Sequence, residues 1–360
     1  YGTSKIRSVA INKKNLENKF FYESDYFYNN LNIENEVEKI ISNIEKNTNE
    51  YLENINLMID SPKMQSIGLS LSKSLDGSKL KKDDVKFLIQ DAKQQILRNY
   101  ENKNIIHIII RKYKIDNIEY TFLPRDINCN ILSIDTIFIC LPKKIIEDLK
   151  KVFLKFDVSI NQIYCSSYVK SLSYKDNFKF IENICFIDIG FNKTSIIFYS
   201  KDTIIFFHVL PVGSNHITKD ISKILNLDLQ TSEKIKLYFD KDKKIIKDNK
   251  LSINLIQKII FSRIEEILEL SIKSIKLNVN LDQSSQFKMI LMGDGSRVLD
   301  NKFKEKISFL HEIDLLEETL AGICESALKI SNSLNKQEVL IVPKKQIKEG
   351  FFEKLFHLFK

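Results

Sequence analysis

Tryptophan is absent from the 360 residues, only 9 are glycine and 5 proline, and the 5 cysteines stand apart from one another. Each shortage excludes something. Cys129, Cys140, Cys165, Cys185 and Cys324 are odd in number and lack metal-type spacing. That excludes a disulfide scaffold or zinc module and reads as buried thiols in a reducing compartment. No run of about 18 apolar residues occurs, so no bilayer-spanning helix is expected, and no signal peptide is expected either. The net charge of +8 comes without a long basic block. So mild an excess suits an anionic membrane or an acidic peptide as well as nucleic acid.

What is present is globular. Hydrophobic residues make up 43% and charged residues 28%, and 360 residues are enough for two or more domains with cores of their own. An average chain of this length would carry about 25 glycines, so the survivors are worth locating. Gly2, Gly190, Gly213, Gly293 and Gly295 sit at the start of the chain or at the ends of β-like runs. There the backbone is expected to take positive φ or to approach a ligand closely.

The richest stretch is Ile184 to Gly213. An apolar run ends at Asp188 and Gly190, a polar bend follows, and the β-rich runs Thr194 to Tyr199 and Thr203 to Leu210 return from it. The bend combines an acid, a glycine and the hydroxyls of Thr194 and Ser195. That composition suits backbone donation to phosphate while a carboxylate holds a hydrated cation. An ordinary polar hairpin turn is the plainer alternative.

Taken in order, Gly2-Thr3-Ser4-Lys5 precedes a strand (Ile6 to Ile11), as a second phosphate-type turn or a frayed terminus. Glu34 to Glu45 has helical spacing, and a strand over Ile55 to Ile59 ends at Asp60-Ser61-Pro62. From Pro62 to about Ser133 a strand (Ile67 to Leu71), an Asp76-Gly77 turn, a helix (Asp83 to Tyr100) and two strands (Asn104 to Lys114, Glu119 to Leu123) read as an inserted α/β unit. The main fold is then expected to resume with strand Thr136 to Leu141, helix Lys144 to Phe156 and strand Gln162 to Cys165. Helices follow from His216 to Leu225, around Ser232 to Lys236, and from Leu255 to Leu277. Phe287 to Met292 is a strand ending at Gly293-Asp294-Gly295-Ser296. Glu317 to Ile330 is a helix, and Ser331 to Glu349 has linker composition. At the end, Phe351, Phe352, Leu355, Phe356 and Phe359 share one helical face, with Lys348, Lys354 and Lys360 towards the other. An interfacial membrane helix needs that pattern; the alternative is a helix docked on protein.

Glycine turns at Gly2, Gly190 and Gly293 resemble the nucleotide cleft of the actin and Hsp70 type of fold. GTSKI at the start, DIG before Thr194, LPVGSNHITKDI over Leu210 to Ile221, SEKIK over Ser232 to Lys236 and RIEEILEL over Arg263 to Leu270 together resemble FtsA, the bacterial cell-division actin homologue. The resemblance implies an α/β, two-domain fold with an inserted subdomain and a C-terminal amphipathic helix. It divides the chain into subdomain IA (1–61, 134–183 and 311–332), IC (62–133), IIA (184–225 and 281–310), IIB (226–280), a linker (333–349) and a membrane helix (350–360).

The resemblance also implies sites. ATP with magnesium would meet Gly2, Thr3 and Ser4 in the first phosphate turn, and Asp188, Gly190, Asn192, Thr194 and Ser195 in the second. Asp188 would orient water on the magnesium. Gly213 would mark the following hairpin, Glu233 and Lys236 would hold ribose and adenine, and Gly293, Gly295 and Ser296 would support the adenosine. Lys258, Arg263 and Glu266 would receive the C-terminal peptide of FtsZ, and subdomain IC other division proteins of the membrane. Further copies of the chain would join it in filaments. Phe351, Phe352, Lys354, Leu355, Phe356, Phe359 and Lys360 would bind an anionic membrane, on the cytoplasmic face at the septum. No nucleic-acid partner and no more than weak ATP hydrolysis are implied. The sequence departs from the family's glycines at Phe191, Asn192 and Asp294, where Phe191 adds bulk and the neighbouring Lys193 is expected to add charge to the phosphate site. A pilus-assembly protein of the PilM type and a sugar or acetate kinase-like enzyme share the fold and remain as alternatives.

Overall fold

The computed structural model describes residues 1–11, 19–25, 32–238, 251–279, 287–299 and 313–332. The linker and the phenylalanine-rich tail fall outside these. The chain opens with an antiparallel hairpin, β1 (Lys5–Ile11) and β2 (Lys19–Asp25), followed by helix α1 (Ile33–Thr48). Asn32 caps α1 by accepting from the Glu34 N–H, and Val37, Ile40, Ile41 and Ile44 form its buried stripe. β3 (Asn54–Ile59) follows.

The inserted unit then runs β4 (Gln65–Ser74), α2 (Lys82–Asn99), β5 (Lys103–Ile115), β6 (Ile118–Tyr120) and β7 (Ile131–Pro142). Asp76 and Gly77 take positive φ in the turn after β4, and Asp116 and Asn117 do so in the two-residue turn between β5 and β6. The sheet order is β4-β7-β5-β6 and every pairing is antiparallel. This corrects the expectation that Thr136 to Leu141 rejoins the main fold. β7 is a central strand of the inserted sheet and turns Phe138 and Cys140 to the cluster under α2. Ile137, Ile139 and Leu141 pack in the first lobe's core. A strand buried on both faces shows no alternation, so its sheet is not readable from pattern.

After α3 (Lys143–Leu154), β8 (Ser159–Cys165) pairs in parallel with β3, and α4 (Ser166–Lys175) follows directly. The second lobe is built on β9 (Asn183–Ile189), β10 (Thr194–Ser200) and β11 (Thr203–Leu210), an antiparallel meander. Its helices are α5 (Ser214–Leu225), α6 (Leu229–Tyr238) and α7 (Ile253–Asn278). β12 (Lys288–Met292) adds in parallel to β9 and β13 (Ile313–Leu315) in parallel to β12, giving the order β11-β10-β9-β12-β13. Period-two alternation divides the sheet's side chains. Cys185, Ile187, Ile196 and Phe198 face the helices, with Ile260, Ile264, Ile267 and Leu268 of α7. Ile184, Phe186, Ile197 and Tyr199 face the first lobe. The final described helix, α8 (Leu320–Asn332), returns to pack on α4 and β1.

Candidate functional site

The turn after β9 is tight. The Gly190 N–H donates to the Lys193 carbonyl at 2.9 Å, and the first N–H groups of α5 close it from above, Ser214 to Gly190 O at 2.9 Å and Asn215 to Phe191 O at 2.8 Å. A Cβ on Gly213 would stand 2.6 Å from both of those carbonyl oxygens and 2.7 Å from Lys193 N. Gly293, at φ +89°, would place a Cβ 2.3 Å from Asp188 Oδ1, and one on Gly295 would come within 2.6 Å of the Ile189 side chain. Only Gly293 of these takes positive φ. Gly293 thus meets the expectation of positive φ, and at Gly213, Gly293 and Gly295 the missing Cβ makes room for neighbouring protein atoms.

These turns form one side of a cavity of about 1430 Å³ between the lobes. Of the expected nucleotide residues, Gly2, Thr3, Ser4, Asp188, Gly190, Glu233 and Lys236 line it, together with Asp60 and Phe191. The others lie behind this lining. Thr194 Oγ1 donates to Val212 O at 2.8 Å, Ser195 is buried against Ser167 at 3.0 Å, Asn192 accepts from Asn215 at 2.9 Å, and Ser296 donates to Gly293 O at 2.7 Å. The hydroxyls of Thr194 and Ser195 thus tie the turn together. Thr3 Oγ1, by contrast, is buried with no hydrogen-bond partner among the described residues.

Two lysines with no side-chain exposure to speak of lie beneath the lining. Lys193 is not a charge on the cavity surface as expected. Its Nζ turns inward, 2.5 Å from Asp60 Oδ1 and 2.7 Å from Ser167 Oγ, with Ser195 Oγ as a third acceptor. Lys170 reaches from α4 to Asp188 Oδ1 at 3.0 Å and to Glu318 at 3.2 Å. Glu318 also accepts from the Gly293 N–H at 2.7 Å, which ties the third glycine turn to the same network. Burial pushes the proton affinity of both ammonium groups down, but the carboxylates around them outweigh it and raise both. Burial likewise pushes Asp188 up, and Lys170 and Lys193 reverse this, holding it below the ordinary carboxylate range.

The side of the cavity at Glu233 and Lys236 is organised differently. Lys236 Nζ pairs with Glu233 at 2.7 Å, donates to Thr218 Oγ1 at 3.0 Å and lies 5.9 Å from the centre of the Phe191 ring. Burial dominates there and lowers the Lys236 ammonium despite Glu233. Across the cavity, Arg7 of β1 pairs with Asp294 of the third turn at 2.5 Å, a contact between the two lobes.

The magnesium implied by the resemblance does not suit this floor. Asp188 is occupied by Lys170 and Ser167, and Asp60 by Lys193. Among the described residues no group of three or more His, Cys, Asp or Glu side chains is placed to hold a metal ion.

The family model described as "Cell division protein FtsA" matches residues 185–302, the stretch from β9 through the third glycine turn. FtsA of Helicobacter pylori is 27% identical over 138 residues, 38% of this chain but only 28% of that relative's length. FtsA of Buchnera aphidicola subsp. Acyrthosiphon pisum is 23% identical over 308 residues, 76% of this chain and 72% of the relative. The chain resembles FtsA. Among solved structures, the PilM-PilN type IV pilus biogenesis complex aligns over 92% of this chain and 96% of its own, at TM-score 0.59 and 12% identity, a likeness of fold. The fold is actin-like.

On the helix where the FtsA resemblance puts the FtsZ peptide, Arg263 already has partners. Its Nε and Nη2 engage Asp220 of α5 at 2.7 and 3.0 Å, and Nη1 engages Glu266. Asp220 is the first cause of the raised Arg263 affinity for its proton. Lys258, on the same helix, is exposed. The FtsA-type tail residues Phe351, Phe352, Lys354, Leu355, Phe356, Phe359 and Lys360 lie outside the described residues. Sequence reasoning missed α4, with Ser167 and Lys170, and also Glu318. The available signal was Tyr168, Val169 and Leu172 at helical spacing within a serine-rich stretch that otherwise reads as loop.

Proposed function

We propose that this chain is an ATP-binding, actin-like cell-division protein that polymerises and tethers FtsZ filaments to the membrane at the septum. The observation that carries the reading is the cavity between the lobes, where the Gly2 to Ser4 loop, the Gly190 turn and the Glu233, Lys236 pair meet within and beside the stretch matched by the FtsA model. Thr3, with a buried hydroxyl to donate, suits a phosphate, and the Phe191 and Lys236 wall suits a nucleoside base. Among the described residues no helix is long and apolar enough to cross a membrane. Attachment on this reading falls to the interfacial face of Phe351, Phe352, Leu355, Phe356 and Phe359, flanked by Lys354 and Lys360. The FtsZ peptide would meet α7 near Lys258, with Arg263 exchanging Asp220 or Glu266 for the peptide carboxylate. The inserted unit is left for other division proteins of the membrane.

The test is flotation on anionic liposomes of the parent and of Phe356→Asp, each with and without ATP. The parent should float, more firmly with ATP as filaments add avidity, and the variant should stay behind. Equal flotation of both would remove the tether. A second reading, a pilus-assembly protein like PilM, is favoured by the end-to-end fold likeness, and a parent that never floats would point to it.

A further inference from the structure

We propose that the ammonium of Lys193, backed by that of Lys170, takes the place of a divalent cation at the floor of this cleft, so that a nucleotide phosphate binds here without magnesium. The proposal rests on the nucleotide-cleft reading above and changes its cofactor.

A bound magnesium ion in such a cleft screens carboxylates from phosphate oxygens, and it needs oxygen ligands at about 2.0–2.1 Å in near-octahedral array, most of them water. Here that task is already done by side chains. Lys193 lies inside the second phosphate turn, between Asn192 and Thr194, and is fully buried. Its three N–H donors have three acceptors, Asp60 Oδ1 at 2.5 Å, Ser167 Oγ at 2.7 Å and Ser195 Oγ. An ammonium so held is a fixed charge. Lys170 does the same from the other side, 3.0 Å from Asp188 and 3.2 Å from Glu318. Three carboxylates and two ammonium groups thus form one connected cluster with a single uncompensated negative charge. The second oxygen of Asp60 lies against the Gly190 backbone, 2.9 Å from where a Cβ would be. Removing the Lys193 charge would return Asp60 and Asp188 to the state in which a hydrated cation is required.

The test uses the full chain. ATP is titrated by calorimetry in excess magnesium and again in EDTA, and in a separate arm manganese(II) alone is titrated with detection by electron paramagnetic resonance. The expected result is ATP affinity that agrees within about twofold between the two buffers and no stoichiometric manganese site in the parent. Lys193→Met should gain a manganese site that a further Asp188→Asn change removes. ATP affinity that falls tenfold or more in EDTA would overturn the proposal, as would a stoichiometric manganese site in the parent that Asp188→Asn abolishes. A parent that binds no ATP in either buffer sinks the nucleotide reading, and the manganese arm then decides the present proposal alone. Both arms on the parent stand even if Lys193→Met fails to fold.

Discussion

Two buried lysine sites, one beneath the floor of the cavity and one in its wall, differ in the direction their proton affinity moves. At the floor, Lys170 and Lys193 are surrounded by Asp60, Asp188 and Glu318, and both are raised. On the wall, Lys236 has Glu233 as its one ion-pair partner among the described residues, and it is lowered. Burial costs each ammonium about the same in kind, so the outcome is decided by how many carboxylates stand within contact. The floor is a locked ionic cluster. The wall is a strained pair at the edge of the cavity water, better suited to exchanging its partner.

The largest expected effect comes from breaking the floor. Lys170→Met leaves Asp188 and Glu318 buried without their shared cation, and should cost about 3–5 kcal/mol, the usual loss when one member of a buried pair is removed. Urea unfolding followed by circular dichroism measures it, and a loss under about 1 kcal/mol would show that floor and wall are alike. Next comes the turn that holds the floor in place. Gly213→Ala forces a methyl to within 2.6 Å of two backbone oxygens, which no rotamer change relieves. A loss of about 1–3 kcal/mol is expected by the same measurement.

On the wall, Lys236→Met should cost about 1 kcal/mol or less, because the charge is already held at a disadvantage and an apolar side chain of similar length fills the space. Glu233 keeps the hydrogen bond from Thr218. The smallest effect is a difference in slope with pH. Lys236 has a folded value below its unfolded one near 10.5, so its share of stability rises as pH climbs through that interval. Lys170 has a folded value above it, so its share is complete below about 10.5 and is lost as pH rises further. Unfolding free energies of the parent minus each variant, measured from pH 8 to 11, should therefore slope in opposite directions. Parallel slopes would mean that the two environments do not differ as described.

Much of this arrangement was legible in the residues. β9, β10 and β11 appear where apolar runs broken by the polar bend and a short turn put them, and α7 where helical spacing of its apolar stripe does. The pairing of β7 was not legible, since a strand apolar on both faces does not reveal its neighbours. Nor was α4, whose SSYVKSLSYK sequence favours turns by local propensity and is held helical by packing of Tyr168 and Val169. At the site, the glycines and the positive φ of Gly293 were legible, but the atoms packed against them were not. Which surface a missing Cβ makes room for depends on residues far away in sequence. Lys193 was noticed as a charge, yet its direction depends on Asp60, 133 positions earlier, and no local pattern encodes that.

The inserted unit also touches both halves of the molecule. Arg111 of β5, clamped by Asp135 of β7 at 2.7 Å, reaches the Ile205 carbonyl of β11 at 3.2 Å, and Ser66 of β4 donates to the Phe207 carbonyl at 2.5 Å. On its other side Cys165 N–H of β8 donates to His107 Nε2 at 2.8 Å. The insert is therefore geared to the lobes on each side of it, with its teeth on the outermost strand of the second-lobe sheet. Any swing of that sheet must either drag the insert along or strip these bonds. A motion begun at the cleft that moved this sheet would therefore be felt by the insert on the flank, through Arg111 and Ser66.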